Sequence, residues 1–178
     1  MRKSLIILGI LDDGDLEWLI ENGSAKQLQE GDYLLRQGTP VKAMYFLLTG
    51  TLSVELENPQ PRQLAEIESG EVVGEISLLD SRPSTASIRA LDESLLLEIR
   101  HDALKPKLET GLGLQARLYK SLGMFLAQRM RSTILTLGYG EDRSEEEEEE
   151  IDEIEPQLLD GIERAAKRFE LMVSKVKV

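Results

Sequence analysis

Gly70-Glu71-Val72-Val73-Gly74-Glu75-Ile76-Ser77-Leu78-Leu79, running on into Asp80-Ser81-Arg82-Pro83-Ser84-Thr85-Ala86-Ser87, is the stretch on which the reading of this chain turns. Val72 and Val73 read as a strand that stops at Gly74, and the residues after Gly74 as one helical turn. A strand that ends on glycine and enters a helical turn presents free backbone N–H groups at the turn's N-terminus, and such groups attract anions. Glu75 stands beside them and can accept a hydrogen bond from a sugar hydroxyl. The segment therefore suits a phosphate-and-ribose cradle. The same carboxylate can instead cap loop amides near its own turn, and both roles stay open at this point.

Outward from that corner, residues 25–99 consist of short apolar runs divided by turn residues. Leu34 and Leu35 stop at Gly38 and Pro40, Met44 to Leu48 stop at Gly50, and Leu52, Val54 and Leu56 alternate up to Asn58, Pro59 and Pro61. Residues 64–67, 85–90 and 95–99 continue the series. Many short strands at this spacing predict an antiparallel sandwich or barrel, with Gly31, Gly38, Gly50, Gly70 and Gly74 at its corners.

Helical spacing flanks this β region. Residues 12–22 carry Leu16, Leu19 and Ile20 behind an Asp cap and stop at Gly23, with Trp18 beside the stripe as a packing residue. Met1 to Leu11 is rich in Leu and Ile but runs straight into Asp12 and Asp13 without a small-residue cleavage site, which predicts a buried N-terminal segment. Residues 101–108 predict a short helix or turn interrupted by Pro106, with His101 a surface or helix-start residue. A long helix follows over 112–137, in which Leu114, Leu118, Leu122, Leu126, Met130, Ile134 and Leu137 are expected nearly on one face. Residues 141–150 contain an unbroken glutamate run that repels itself and predicts an extended linker. Beyond it Ile151, Ile154, Leu158, Ile162, Ala165, Phe169, Met172 and Val176 form a heptad-like, coiled-coil stripe on a terminal amphipathic helix. The expected organisation is a domain at 1–140, an acidic linker at 141–150 and a partner-seeking or self-associating helix at 151–178.

Composition narrows the function. The 178 residues carry a formal net charge of -12, which repels phosphate backbones and anionic headgroups and argues against nucleic acid or a membrane surface as partner. The absence of cysteine excludes disulfides, thiolate catalysis and cysteine-ligated metals, and a single histidine offers no metal-ligand set. No nucleophile-base pair and no triphosphate-binding loop of the Gly-x-x-x-x-Gly-Lys type occurs, so neither catalytic nor metal residues are assigned and no cofactor is expected. No apolar run is long enough to span a bilayer, and the expected location is the cytoplasm.

Two separated motifs carry a resemblance. Leu34-Leu35-Arg36-Gln37-Gly38, Met44-Tyr45-Phe46-Leu47 and Gly50 form the first, and Gly74-Glu75-Ile76-Ser77-Leu78-Leu79 with Pro83 and Ala86 in register forms the second. Over residues 12–137 the chain resembles the cyclic-nucleotide-binding domain family of catabolite-activator proteins, kinase regulatory subunits and gated channels. The resemblance implies a mainly β fold with flanking helices: an antiparallel, jelly-roll-like β-roll of about eight strands, a cassette helix under the ligand and a long C-terminal helix over the base. It implies cyclic AMP or cyclic GMP as ligand, Glu75 on the ribose 2′-hydroxyl, Gly74 at the corner and the amides of Ile76 and Ser77 on the cyclic phosphate. It also implies a homodimer through the 112–137 helix. The family's phosphate-binding arginine falls nine or ten residues after the cassette glutamate, and Ser84 and Thr85 stand there. Arg82 could replace it only through a different loop path, whereas the Ser84 and Thr85 hydroxyls could donate to phosphate or cap the next strand. The expected function is thus a non-catalytic sensor. The alternative is a degenerate relative that scaffolds protein interactions without nucleotide.

Overall fold

The runs and corners of residues 24–100 fold as strands and the flanking patterns as helices in a computed structural model that describes residues 5–58, 60–136 and 156–176. In chain order these are α1 (Leu5–Ile10), α2 (Asp13–Asn22), β1 (Ser24–Leu28), β2 (Tyr33–Leu35), β3 (Ala43–Thr49), β4 (Thr51–Leu56), β5 (Arg62–Glu68), β6 (Val72–Val73), α3 (Glu75–Asp80), β7 (Ser87–Ala90), β8 (Ser94–Arg100), α4 (His101–Thr110), α5 (Leu112–Thr136) and α6 (Pro156–Lys175). One antiparallel sheet has the order β1-β8-β3-β6 and the other β2-β7-β4-β5. The mainly β roll with flanking helices is therefore the observed fold. The acidic run 141–150 and the start of the terminal stripe at 151–155 lie outside the described residues.

β3 explains why Met44 to Leu48 form an unbroken apolar run: both of its faces are covered. Ala43, Tyr45 and Leu47 point between the sheets, among Leu52, Ile67, Val73, Ile88, Ala90 and Leu96. Met44, Phe46 and Leu48 point the other way, into a second core shared with Ile7, Leu16, Leu19, Leu104, Leu118 and Leu122 of the helices. Each such buried side chain contributes about 1.5–3 kcal/mol relative to exposure. Between the sheets, burial, with Glu98 adding to it, pushes the Tyr45 phenol up to about 12.

Asp12 caps α2 in a reciprocal box, accepting from the Asp15 amide at 2.8 Å while its own amide donates to Asp15 at 3.0 Å. Arg117 of α5 then grips both carboxylates, with Nη2 2.9 Å from Asp15 Oδ1 and 2.7 Å from Asp12 Oδ2. Burial raises the Asp15 carboxyl, but Arg117 and the Asp12 amide outweigh it and hold it below the usual carboxylate range. A carboxylate whose folded value lies below its unfolded one stabilises the fold fully above the unfolded value of about 3.9, and loses that contribution as pH falls through the folded value. Replacing Arg117 by methionine should therefore move the midpoint of acid unfolding, followed by circular dichroism, to higher pH. An unmoved midpoint would show that the clamp carries no such linkage.

Two local expectations are corrected, and that of His101 as a surface or helix-start residue holds in its second form. Pro106 does not interrupt α4: it is exposed, so its ring meets solvent, and burial of Leu104 and Leu108 compensates the missing backbone hydrogen bond. His101 does start that helix, but it is buried rather than on the surface. Its amide donates to Lys42 O at 2.8 Å, its Nε2 has no hydrogen-bond partner among the described residues, and burial, with Lys105 adding to it, lowers its pKa.

The apolar residues of α5 do not share one face. Four-residue steps advance about 400°, so each step drifts about 40° around the axis. Leu114, Leu118, Leu122 and Phe125 pack into the core, whereas Met130 is 65% exposed and Ile134 is also on the outside.

The described part of the terminal stripe is covered within the chain. Ala165, Met172 and Val176 are buried in the helical core, with Phe169 and Val173 packed against it. α6 lies on α1, where Gly9 and Gly161 face each other: a Cβ on Gly9 would come 3.3 Å from Gly161 O. Arg168, 14% exposed, donates to Leu8 O at 2.9 Å and Leu11 O at 2.6 Å at the end of α1, and to Asp13 at the start of α2. The described part of this helix thus already has a partner, the chain's own N-terminal helices.

Candidate functional site

Gly74 makes the corner between β6 and α3. It adopts φ 86°, a left-handed conformation that glycine enters without strain, and a Cβ there would lie 2.4 Å from Ala43 O. The chain turns so tightly against β3 that Glu75, the first residue of α3, is directed inward and is only 2% exposed. Ser77 and Leu78 are also buried, while Ile76 and Leu79 face outward. The strand, corner and turn expected from Val72 to Leu79 are therefore all present.

The carboxylate of Glu75 meets the chain's own long helix. Arg129 Nη1 of α5 donates to Glu75 Oε1 at 2.8 Å, and Arg129 Nη2 lies 3.6 Å from Glu71 Oε2. The guanidinium carbon stands 4.9 Å from the centroid of the Phe125 ring, one helical turn earlier. Burial raises the Glu75 carboxyl above its ordinary range. Arg129 and a hydrogen bond with Glu75's own backbone oppose this, and neighbouring Glu71 adds to the rise. A side chain expected on a sugar hydroxyl is thus paired with arginine.

The other expected ligand groups are committed locally. Ser77 Oγ donates to Arg82 O at 2.8 Å, which ties the turn to the loop after it. Ser84, at the place of the family arginine, donates its amide to Thr39 O at 2.9 Å, accepts from Gly38 N at 2.8 Å and donates its hydroxyl to Ala86 O at 2.6 Å. The Arg82 side chain is 82% exposed and stands 3.7 Å from Asp80. Thr85 is exposed. Gly74, Glu75, Ile76 and Ser77 are brought together at the corner, Ser84 and Thr85 carry no charge, and the Arg82 side chain is exposed.

Sequence reading missed Arg129, although a signal was present. Leu118, Leu122, Phe125 and Arg129 follow steps of four, three and four, so the arginine lies half-buried beside the core-facing stripe, where an acidic partner would stabilise it. A second missed network joins the turn after β2 to the strands beside it. Gln37 donates its amide to Ser87 Oγ at 2.9 Å, Ser87 donates to Glu57, and Gln37 Oε1 accepts from Glu57 N at 2.8 Å. Among the described residues no group of three or more His, Asp or Glu could hold a metal ion, and no helix is long and apolar enough to cross a membrane.

Known proteins share this architecture. The CRP-like protein Clp of Xanthomonas campestris pv. campestris is 27% identical over 127 residues, covering 69% of this chain and 55% of Clp, so the chain spans about half the length of that relative. A solved structure of CLP, described as a c-di-GMP-responsive global regulator, covers 71% of this chain and 63% of its own at 25% identity and TM-score 0.63. The N-terminal domain of a transcriptional regulator from Streptomyces coelicolor A3(2) is 29% identical, with TM-score 0.59, over 76% of this chain and 91% of that domain. A cyclic nucleotide-binding domain from Methylobacillus flagellatus KT shares the fold at TM-score 0.69 and 21% identity, over 81% of this chain and 85% of that one. Residues 25–110 match the profile of the cyclic nucleotide-binding domain, and the roll with its Gly74-Glu75 corner belongs to that family.

Proposed function

We propose that this chain is a non-catalytic, cytoplasmic regulatory module that keeps the roll of its family but acts as an assembly scaffold without cyclic nucleotide. The observation that carries this reading is the Arg129–Glu75 contact: the carboxylate that would meet a ribose is buried and already paired. Charge supports the same reading. Arg129 is shared between Glu71 and Glu75, and Ser84 stands where the family carries an arginine, so a cyclic phosphate would meet a guanidinium already committed to carboxylates. The alternative implied by the resemblance, a sensor for a small anionic nucleotide, requires Arg129 to leave Glu75 and an anion to bind without the arginine that normally holds it.

Assembly has a candidate surface on α5. Opposite its buried stripe, Leu112, Ala116, Tyr119, Gly123, Met130 and Ile134 form a second, outward row close to heptad spacing, and a Cβ on Gly123 would meet nothing within 4 Å. A second copy of the chain is the proposed occupant. One pair of measurements tests the function. Calorimetric titration with cyclic AMP, cyclic GMP and c-di-GMP, the last because of the Clp relative, should give no saturable heat at millimolar ligand. Light scattering should give a dimer that Met130→Asp converts to a monomer. Saturable binding would sink the nucleotide-independent reading, and a monomeric parent chain would sink the assembly role.

A further inference from the structure

We infer that the cassette corner of this chain has changed its ligand class and is a receptor for a guanidinium cation, filled in cis by Arg129; the inference rests on the corner having lost its anionic ligand. Three sides of a guanidinium site are present. Glu75 accepts from Nη1 at 2.8 Å, Glu71 stands 3.6 Å from Nη2, and the Phe125 ring lies 4.9 Å from the guanidinium carbon. Planar guanidinium groups are held by this combination of carboxylate and aromatic face, which an ammonium group matches less well.

The receptor does not depend on Arg129 for its shape. Glu75 is set by the Gly74 corner against β3, Glu71 by the turn before β6, and Phe125 by a helix anchored through Leu114, Leu118 and Leu122. Without the arginine, Glu75 remains a buried carboxylate with no guanidinium opposite it, and such a group takes up a proton or another cation. A small guanidinium compound meets that demand, whereas a cyclic phosphate adds to the negative charge. When α5 carries Arg129, any free guanidinium competes with a tethered one and is excluded.

Chemical rescue tests this. The chain with Arg129→Ala is heated in rising methylguanidinium chloride, with tetramethylammonium chloride at equal concentration as the control. At about ten times its dissociation constant the ligand should raise the unfolding temperature by about 3–5 °C. The unaltered chain and the double variant Arg129→Ala with Glu75→Gln should show no such rise. Should Arg129→Ala not fold, recovery of its circular dichroism by methylguanidinium is the readout, and Arg129→Ser is carried through the same titration. A response equal to that of tetramethylammonium, or the same rise in the double variant, overturns the receptor. That failure is separable from failure of the scaffold reading, which only nucleotide heat on the unaltered chain or a monomeric parent would produce.

Discussion

Installing arginine at Ser84 and removing it at Arg129 should together give a chain that binds cyclic AMP at micromolar concentration, which on the proposed reading the unaltered chain does not. Ser84→Arg supplies the charge-assisted bond to phosphate, which is worth about 1.5–3 kcal/mol, or roughly 10- to 100-fold in affinity. Arg129→Gln frees the Glu75 carboxylate for a sugar hydroxyl, a contact of similar kind to a charged acceptor. Neither change suffices alone. With Ser84→Arg the glutamate is still occupied, and with Arg129→Gln the phosphate still lacks a cation. The combined gain should exceed about 100-fold over the unaltered chain, read by calorimetry with cyclic AMP. A double variant that folds and gives no heat would mean that the corner has lost more than these two residues.

The second large effect concerns α6. Met172 has no exposed surface in the helical core, and truncating a buried methionine to alanine costs about 2–5 kcal/mol. For a chain of this size that lowers the unfolding temperature by roughly 5–15 °C. A free, partner-seeking helix would show nothing of the kind, because its apolar stripe would be exposed before and after the change. Thermal unfolding of Met172→Ala therefore separates the two: a fall of several degrees means that α6 docks on α1 and α2, and a change within about one degree means that it is detached in solution. Arg168→Ala should add a smaller loss, because the carbonyl groups of Leu8 and Leu11 lose the donor that closes the end of α1.

Backbone features were the most legible part of the sequence. Gly31, Gly38, Gly50, Gly70 and Gly74 each adopt the positive φ expected of a corner, because only glycine accepts that geometry at low cost and so marks it in the sequence. The Asp12 cap and the Gly23 stop of α2 were equally plain, since capping chemistry is local. Direction was harder to read. Steps of four along α5 look like one stripe but wind from the core to the solvent, so the spacing alone groups Met130 and Ile134 with Leu114 although they face away from it. The coverage of α6 is not legible in the sequence for a different reason: an amphipathic stripe requires a cover, and the Gly9–Gly161 crossing and the Arg168 bonds to Leu8 and Leu11 show that for the described part it lies in the same chain.

At the site, the residues close in sequence were read correctly as a strand, a glycine corner and a turn, because the motif is continuous from Val72 to Leu79. What occupies the corner was not legible there. Arg129 is 54 residues from Glu75, and no local pattern joins them. Their pairing follows from an arginine on the inward face of α5 and a glutamate that the Gly74 turn aims inward, two facts that meet only in three dimensions.

On the proposed reading, Arg129 holds the place a ribose would take on Glu75. A crystal structure of the unaltered chain grown with millimolar cyclic AMP tests it most directly. The expected result is Arg129 Nη1 within hydrogen-bond distance of Glu75, with no nucleotide density at the corner. A sugar hydroxyl on the Glu75 carboxylate, with Arg129 turned out toward solvent, would contradict it.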